Sequence, residues 1–114
     1  MRTVFHVSTV DQLSYVDAKV ANLLADGAVD VRAVAVVVDN PAVIDAAAGD
    51  RHERVGAVLD AGTDEAETAF CVCSNALRGA TATIDDLPAG VEAASFGVGE
   101  LTRLQHDGWA YIRP

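Results

Sequence analysis

Val31-Arg32-Ala33-Val34-Ala35-Val36-Val37-Val38 is nearly continuous valine and alanine, with no polar residue after Arg32. A strand with one wet face alternates apolar and polar side chains, whereas a strand covered on both faces does not. Strands of the second kind belong to parallel sheets covered by helices, so this segment predicts an α/β fold. The flanks agree with that reading. Upstream, Asp11 to Ala25 has helical spacing, with Leu13, Val16, Val20, Leu23 and Leu24 on one face and Gly27 after its end. Before it, Thr3 to Val7 reads as a first, central strand, followed by Ser8, Thr9 and Asp11 as candidate caps. Downstream, Asp39-Asn40-Pro41 breaks the valine strand. Pro41 to Ala48 then reads as a short helix, with proline first and Gly49 beyond its end. Arg51 to Asp60 is a second helical segment, with Val55, Val58 and Leu59 as its apolar stripe and Gly62 closing it.

The next stretch carries the chemistry. Phe70-Cys71-Val72-Cys73-Ser74-Asn75-Ala76-Leu77-Arg78-Gly79 starts β-leaning and apolar, then turns helix-like. It predicts a strand over about Thr68 to Val72 running into a helix over Ser74 to Ala80, with Ser74 or Asn75 as the N-cap. Cys73 stands at the junction. A thiol there meets unpaired backbone N–H groups and the positive end of the helix dipole, and both favour thiolate. The bland alternative is a small buried side chain closing a strand. After a breaker-rich loop, Ile84 to Gly90, come a weak fourth strand (Val91 to Ser95) and a helix (Val98 to His106) with Leu101 and Leu104 inward and Gly108 at its end. Trp109 to Ile112 is a last strand, either a subunit interface or an edge packed into its own domain.

Strands alternating with helices at this spacing mean a mainly parallel sheet with right-handed crossovers. Ligands of such sheets bind at the carboxyl ends of the strands. Three polar loops leave those ends: Ser8-Thr9, Asp39-Asn40-Pro41 and Cys73-Ser74-Asn75. Whether they meet depends on strand order, which the pattern leaves open.

Composition bounds the rest. At 114 residues the chain is one domain, 1–114, with 51% apolar residues and enough length for a real core. No apolar run approaches the ~20 residues of a membrane span, and Met1 to Phe5 reads as the start of the fold, so a cytoplasmic protein is expected. Seventeen acidic residues face eight basic ones, and the net charge is −9. That sign repels phosphate backbones and argues against a nucleic-acid partner. Lys19 is the only lysine and the acids are spread along the chain, which is the surface expected of a protein from a salt-loving source. Cys71 and Cys73 lie two residues apart on a strand, about 6.5–7 Å at Cα, at or beyond the range of an ordinary disulfide. With no second cysteine pair and with His6, His52 and His106 scattered, no metal site is expected. Gly97-Val98-Gly99-Glu100 lacks the third glycine of a dinucleotide loop and reads as punctuation. Nothing after the first strand beyond Ser8-Thr9 suggests a flavin phosphate loop, so no cofactor is expected.

Several segments nevertheless resemble one family. Val4-Phe5-His6-Val7-Ser8, Asp39-Asn40-Pro41-Ala42-Val43 and Phe70-Cys71-Val72-Cys73-Ser74-Asn75-Ala76-Leu77 are similar to the first strand, the loop after strand two and the cysteine motif of small DsrE/DsrF-like proteins. The tail, Gly97 to Gln105 and Gly108 to Pro114, resembles the stand-alone branch, and the likeness runs through the chain in order. The resemblance implies a three-layer α/β/α sandwich with a five-stranded parallel sheet, assembled as a homotrimer or homohexamer. It also implies a cysteine, here Cys73, that carries sulfur as a persulfide between donor and acceptor proteins. Asn40 or Asn75 would bond the sulfur anion, His6 would assist proton transfer, and Ser8, Pro41 and Ser74 would line the site. Cys71 is an addition to the family's pattern. The other function class left open is a non-catalytic small-ligand or protein-binding oligomer with a structural Cys73.

Overall fold

The computed structural model describes residues 1–114. Strands β1 (Arg2–Val7), β2 (Ala33–Val38), β3 (Glu67–Cys73), β4 (Glu92–Ala94) and β5 (Ala110–Ile112) form one sheet in the order β4-β3-β2-β1-β5. Every pairing is parallel. The helices are α1 (Val10–Ala25), α2 (Pro41–Ala48), α3 (His52–Asp60), α4 (Ser74–Gly79) and α5 (Gly97–His106), with a 3₁₀ turn at Ile84–Asp86.

Chirality turns this order into layers. The chain steps outward from β1 through β2 and β3 to β4, then returns to β5 on the far side of β1. Right-handed crossovers put the helices of the outward steps on one face and the helix of the return on the other. Accordingly α1 to α4 share the large core, where Leu13, Val16, Ile44 and Val58 meet Phe5, Val36, Phe70 and Val72. Alone on the opposite face, α5 sets Leu101 and Leu104 against Val4, Ala35 and Val37. The three-layer α/β/α sandwich is therefore present, with outer layers of unequal size.

The middle strand is β2, and Val34, Val36, Val37 and Val38 are at most 1% exposed. Each such valine contributes about 1.5–3 kcal/mol by leaving water, so the run specifies its own place in the sheet. Local signals set the helix starts. The Thr9 hydroxyl accepts from the Gln12 N–H while the Gln12 side chain accepts from the Thr9 N–H, a reciprocal cap on α1. Asn40 caps α2, with Pro41 at the first helical position.

One end signal is corrected. The N-cap of α4 is Cys73 itself, with extended backbone and no side-chain cap bond, and Ser74 and Asn75 lie inside the first turn. The reason is that β3 runs one residue beyond Val72, pairing Cys73 with Ala94, which leaves no residue over for a separate cap. Gly27 follows the α1 cap Asp26 and Gly62 follows the α3 cap Ala61, each just past its helix end as expected. Gly108 follows α5 at φ +91°, where a side chain would be strained. No helix is long and apolar enough to cross a membrane.

Candidate functional site

Because β1, β2 and β3 are neighbours, their carboxyl ends are adjacent and the three polar loops converge. Asn40 ties two of the segments together. Its Nδ2 donates to the Ser8 carbonyl at 2.9 Å while its Oδ1 accepts from the Ala42 N–H at 3.0 Å. Both ends of this amide are engaged, so Asn40 builds the loop, and the second Nδ2–H is its one remaining donor. Pro41 is a packing residue: a Cβ on Gly79 would come within 3.2 Å of its ring, so α2 and α4 are drawn together there. The Ser8 hydroxyl accepts from Arg113 at 2.7 Å. Ser74 is half-buried and Asn75 exposed, and neither side chain makes a hydrogen bond, so Asn75 keeps a free amide beside the junction.

Cys73 is 6% exposed. Val38 pairs with Val72, so the next residues, Asp39 and Cys73, stand side by side at the ends of β2 and β3. The start of α5 closes over both. A Cβ on Gly97 would lie 3.1 Å from the Asp39 Cβ and 3.3 Å from the Cys73 Cβ, so any side chain there would press on both. Cys71 belongs to a different environment. It is half-buried against the small core under α5, and it is a free thiol, as is Cys73. Burial first, then the Glu100 carboxylate and more weakly Glu92, push its thiol up to about 11.

His6 joins three strands. Its ring is nearly buried, with Nε2 2.7 Å from Asp39 Oδ2 and Nδ1 2.5 Å from the Tyr111 hydroxyl. Across β5, β1 and β2, Tyr111, His6 and Asp39 form one hydrogen-bonded chain, and its Asp39 end lies beside Cys73. No third His, Cys, Asp or Glu joins the His6–Asp39 pair as a metal-holding group. Sequence reasoning placed His6 and Cys73 at this edge but missed Asp39, Gly97, Tyr111 and Arg113 as parts of the site. Parallel register between β2 and β3 is the signal that pairs Asp39 with Cys73, and it becomes readable only once the strands are known to be neighbours. A cleft of about 430 Å³ lies elsewhere, at the amino-terminal end of the sheet among Leu24, Asp26, Asp30, Arg32 and Glu65. It holds neither cysteine nor histidine, so the chemistry, not the concavity, locates the site.

No protein-family model matches the chain, and neither does any curated protein. Among solved structures, a protein of unknown function from Methanobacterium thermoautotrophicum (MTH1491) is similar over 99% of this chain and 98% of its own, with 32% sequence identity and a TM-score of 0.72.

Proposed function

From the premise that the chain belongs to the same family as the Methanobacterium protein, we propose that it is a DsrE/DsrF-like sulfur carrier working through a persulfide on Cys73. The observation that carries this reading is the convergence of the loops after β1, β2 and β3 on one thiol beneath a glycine. In the reaction the Cys73 thiolate attacks the outer sulfur of a donor persulfide. A new S–S bond forms, the donor's S–S bond breaks, and the donor leaves as a thiolate. An acceptor thiolate then attacks the outer sulfur on Cys73 and releases the Cys73 thiolate, with no net oxidation. The half-buried, neutral thiol of Cys71 takes no part. In this reading the protein works as a homotrimer or homohexamer in the cytoplasm of a salt-loving organism, with donor and acceptor proteins as partners. Exposed Ile112 on the edge strand β5, and exposed Ala69 on the part of β3 that α5 leaves uncovered, support assembly.

One observation favours a second reading. Cys73 is nearly buried and belongs to the larger core cluster, as a structural cysteine of a non-catalytic ligand- or protein-binding oligomer would. Intact mass after exposure to inorganic polysulfide in high salt separates the two. The carrier reading expects wild type and Cys71→Ser to gain sulfur that dithiothreitol removes, and Cys73→Ala to gain none. Folded wild type that gains no sulfur returns Cys73 to the core and leaves the binding-module reading in front.

A further inference from the structure

The Tyr111–His6–Asp39 chain carries an inference independent of Cys73. With Asp39 accepting, the neutral imidazole of His6 carries its proton on Nε2 and offers Nδ1 as an acceptor. That acceptor faces the Tyr111 hydroxyl, whose proton therefore points into an imidazole base. Asp39 fixes the tautomer and orientation of the ring, and would stabilise the imidazolium formed if the phenol proton were transferred. Tyr111 thus stands where the hydroxyl nucleophile stands in an Asp–His–hydroxyl triad. His6 lies 105 residues from Tyr111 in sequence, and Asp39 lies 33 residues from His6.

Two further facts give this hydroxyl a ligand. The chain order reverses between β1 and β5, and open α/β sheets bind small molecules at the carboxyl ends flanking such a point. Arg113, two residues beyond Tyr111, makes its one hydrogen bond to the Ser8 hydroxyl. Arg32, Arg51, Arg54 and Arg103 are each paired with an acid, whereas Arg113, like Arg2 and Arg78, has no carboxylate partner, and of these three only Arg113 bonds a residue of the three polar loops. Its remaining guanidinium donors suit a carboxylate or another oxyanion. A purely architectural role, in which His6 pins the short strand β5, accounts for the hydrogen bonds but gives Tyr111 no special reactivity.

We infer that Tyr111, activated by His6 and Asp39, is a reactive hydroxyl for a small electrophile that carries an oxyanion seated by Arg113. In its reaction the phenol oxygen bonds to the electrophilic centre and the leaving group departs with its electron pair. The phenol proton passes to Nδ1 of His6. Nothing is oxidised or reduced.

The chain has two tyrosines, and the second is an internal control. Tyr15 is 58% exposed against 38% for Tyr111, but has no histidine beside it. The probe is 4-(fluorosulfonyl)benzoate, an anionic reagent that transfers its sulfonyl group to tyrosine oxygen with loss of fluoride. Labelling is followed residue by residue by peptide mass spectrometry at fixed pH. Tyr111 is expected to react about tenfold or more faster than Tyr15, in keeping with general-base assistance. His6→Gln and the gentler Asp39→Asn each bring Tyr111 down to the Tyr15 rate, while the unchanged Tyr15 rate and the circular dichroism report an intact fold. Arg113→Met slows the anionic probe at Tyr111 and leaves neutral benzenesulfonyl fluoride unaffected. Labelling that follows exposure, with Tyr15 ahead, overturns the inference. So does a Tyr111 rate indifferent to Asp39→Asn in the folded protein, and an Arg113→Met variant that treats both probes alike removes the anion seat.

Discussion

Cys71 and Cys73 share a strand and are two residues apart, yet their surroundings separate them. Burial under α5 and the carboxylates of Glu100 and Glu92 keep Cys71 protonated, with its thiol pushed up to about 11 from 9.0. At pH 8 about one Cys71 in a thousand is then thiolate, against about one in ten for an unshifted thiol. Iodoacetamide should therefore modify Cys71 roughly a hundredfold more slowly than a free thiol at pH 8. Its rate should keep rising through pH 10, as read by fragment-resolved mass spectrometry on the wild type. A half-maximal rate near pH 9 would mean that Glu100 and burial do not act on it as described. The same residue scale explains what could be read in advance. Cys73 and His6 were visible because a strand end and a polar side chain inside an apolar strand announce themselves. Asp39 and Tyr111 were not, because each acquires its role from a side-chain bond across many residues. Such bonds follow from which strands lie side by side, and apolar periodicity does not encode strand order.

Among the elements, α5 is the one whose position matters most, since it alone covers its face and its first turn roofs Asp39 and Cys73. Its helical span and its inward Leu101 and Leu104 were legible from spacing. The two glycines in its first turn read only as punctuation, and the structure tells them apart. A Cβ at Gly97 meets Asp39 and Cys73 at 3.1 and 3.3 Å, whereas a Cβ at Gly99 meets nothing closer than the Phe96 Cβ at 4.0 Å. Overpacking at the first site costs about 1–3 kcal/mol, offset by up to about 1 kcal/mol for alanine over glycine in a helix. Gly97→Ala should thus lose about 1 kcal/mol in urea unfolding, while Gly99→Ala should be neutral or slightly stabilising. Equal effects would mean that α5 adjusts freely and that the roof over Cys73 is not tight. The α4 start illustrates the opposite limit of legibility. Ser74 and Asn75 have the right chemistry for a cap, but the ladder of β3 with β4 extends through Cys73 and takes the position they would have needed.

At the scale of the whole molecule, the fold class was legible because β2 displays its double burial in its composition, while the charge balance says nothing of fold and a good deal about solvent. The ion pairs are mostly exposed, such as Arg32–Asp30 and Arg103–Glu100, and exposed pairs contribute about 0–1 kcal/mol each. With 17 acids against 8 basic residues, most carboxylates have no cation, and the net charge of −9 repels itself across the surface. Salt acts on both terms with opposite sign. It weakens the few pairs and screens the many repulsions, as the screening length falls from about 10 Å at 0.1 M to about 3 Å at 1 M. The repulsions outnumber the pairs, so the melting temperature should climb between about 0.1 and 1 M KCl. The climb should be roughly 5 °C for each kcal/mol of repulsion relieved. Replacing several unpaired acids far from the site, such as Asp64, Glu65 and Asp85, by their amides should flatten that slope while leaving sulfur loading at Cys73 unchanged. A melting temperature that stays level or falls with KCl would mean that the acidic surface is not limiting stability, and the salt-loving source would lose its physical support.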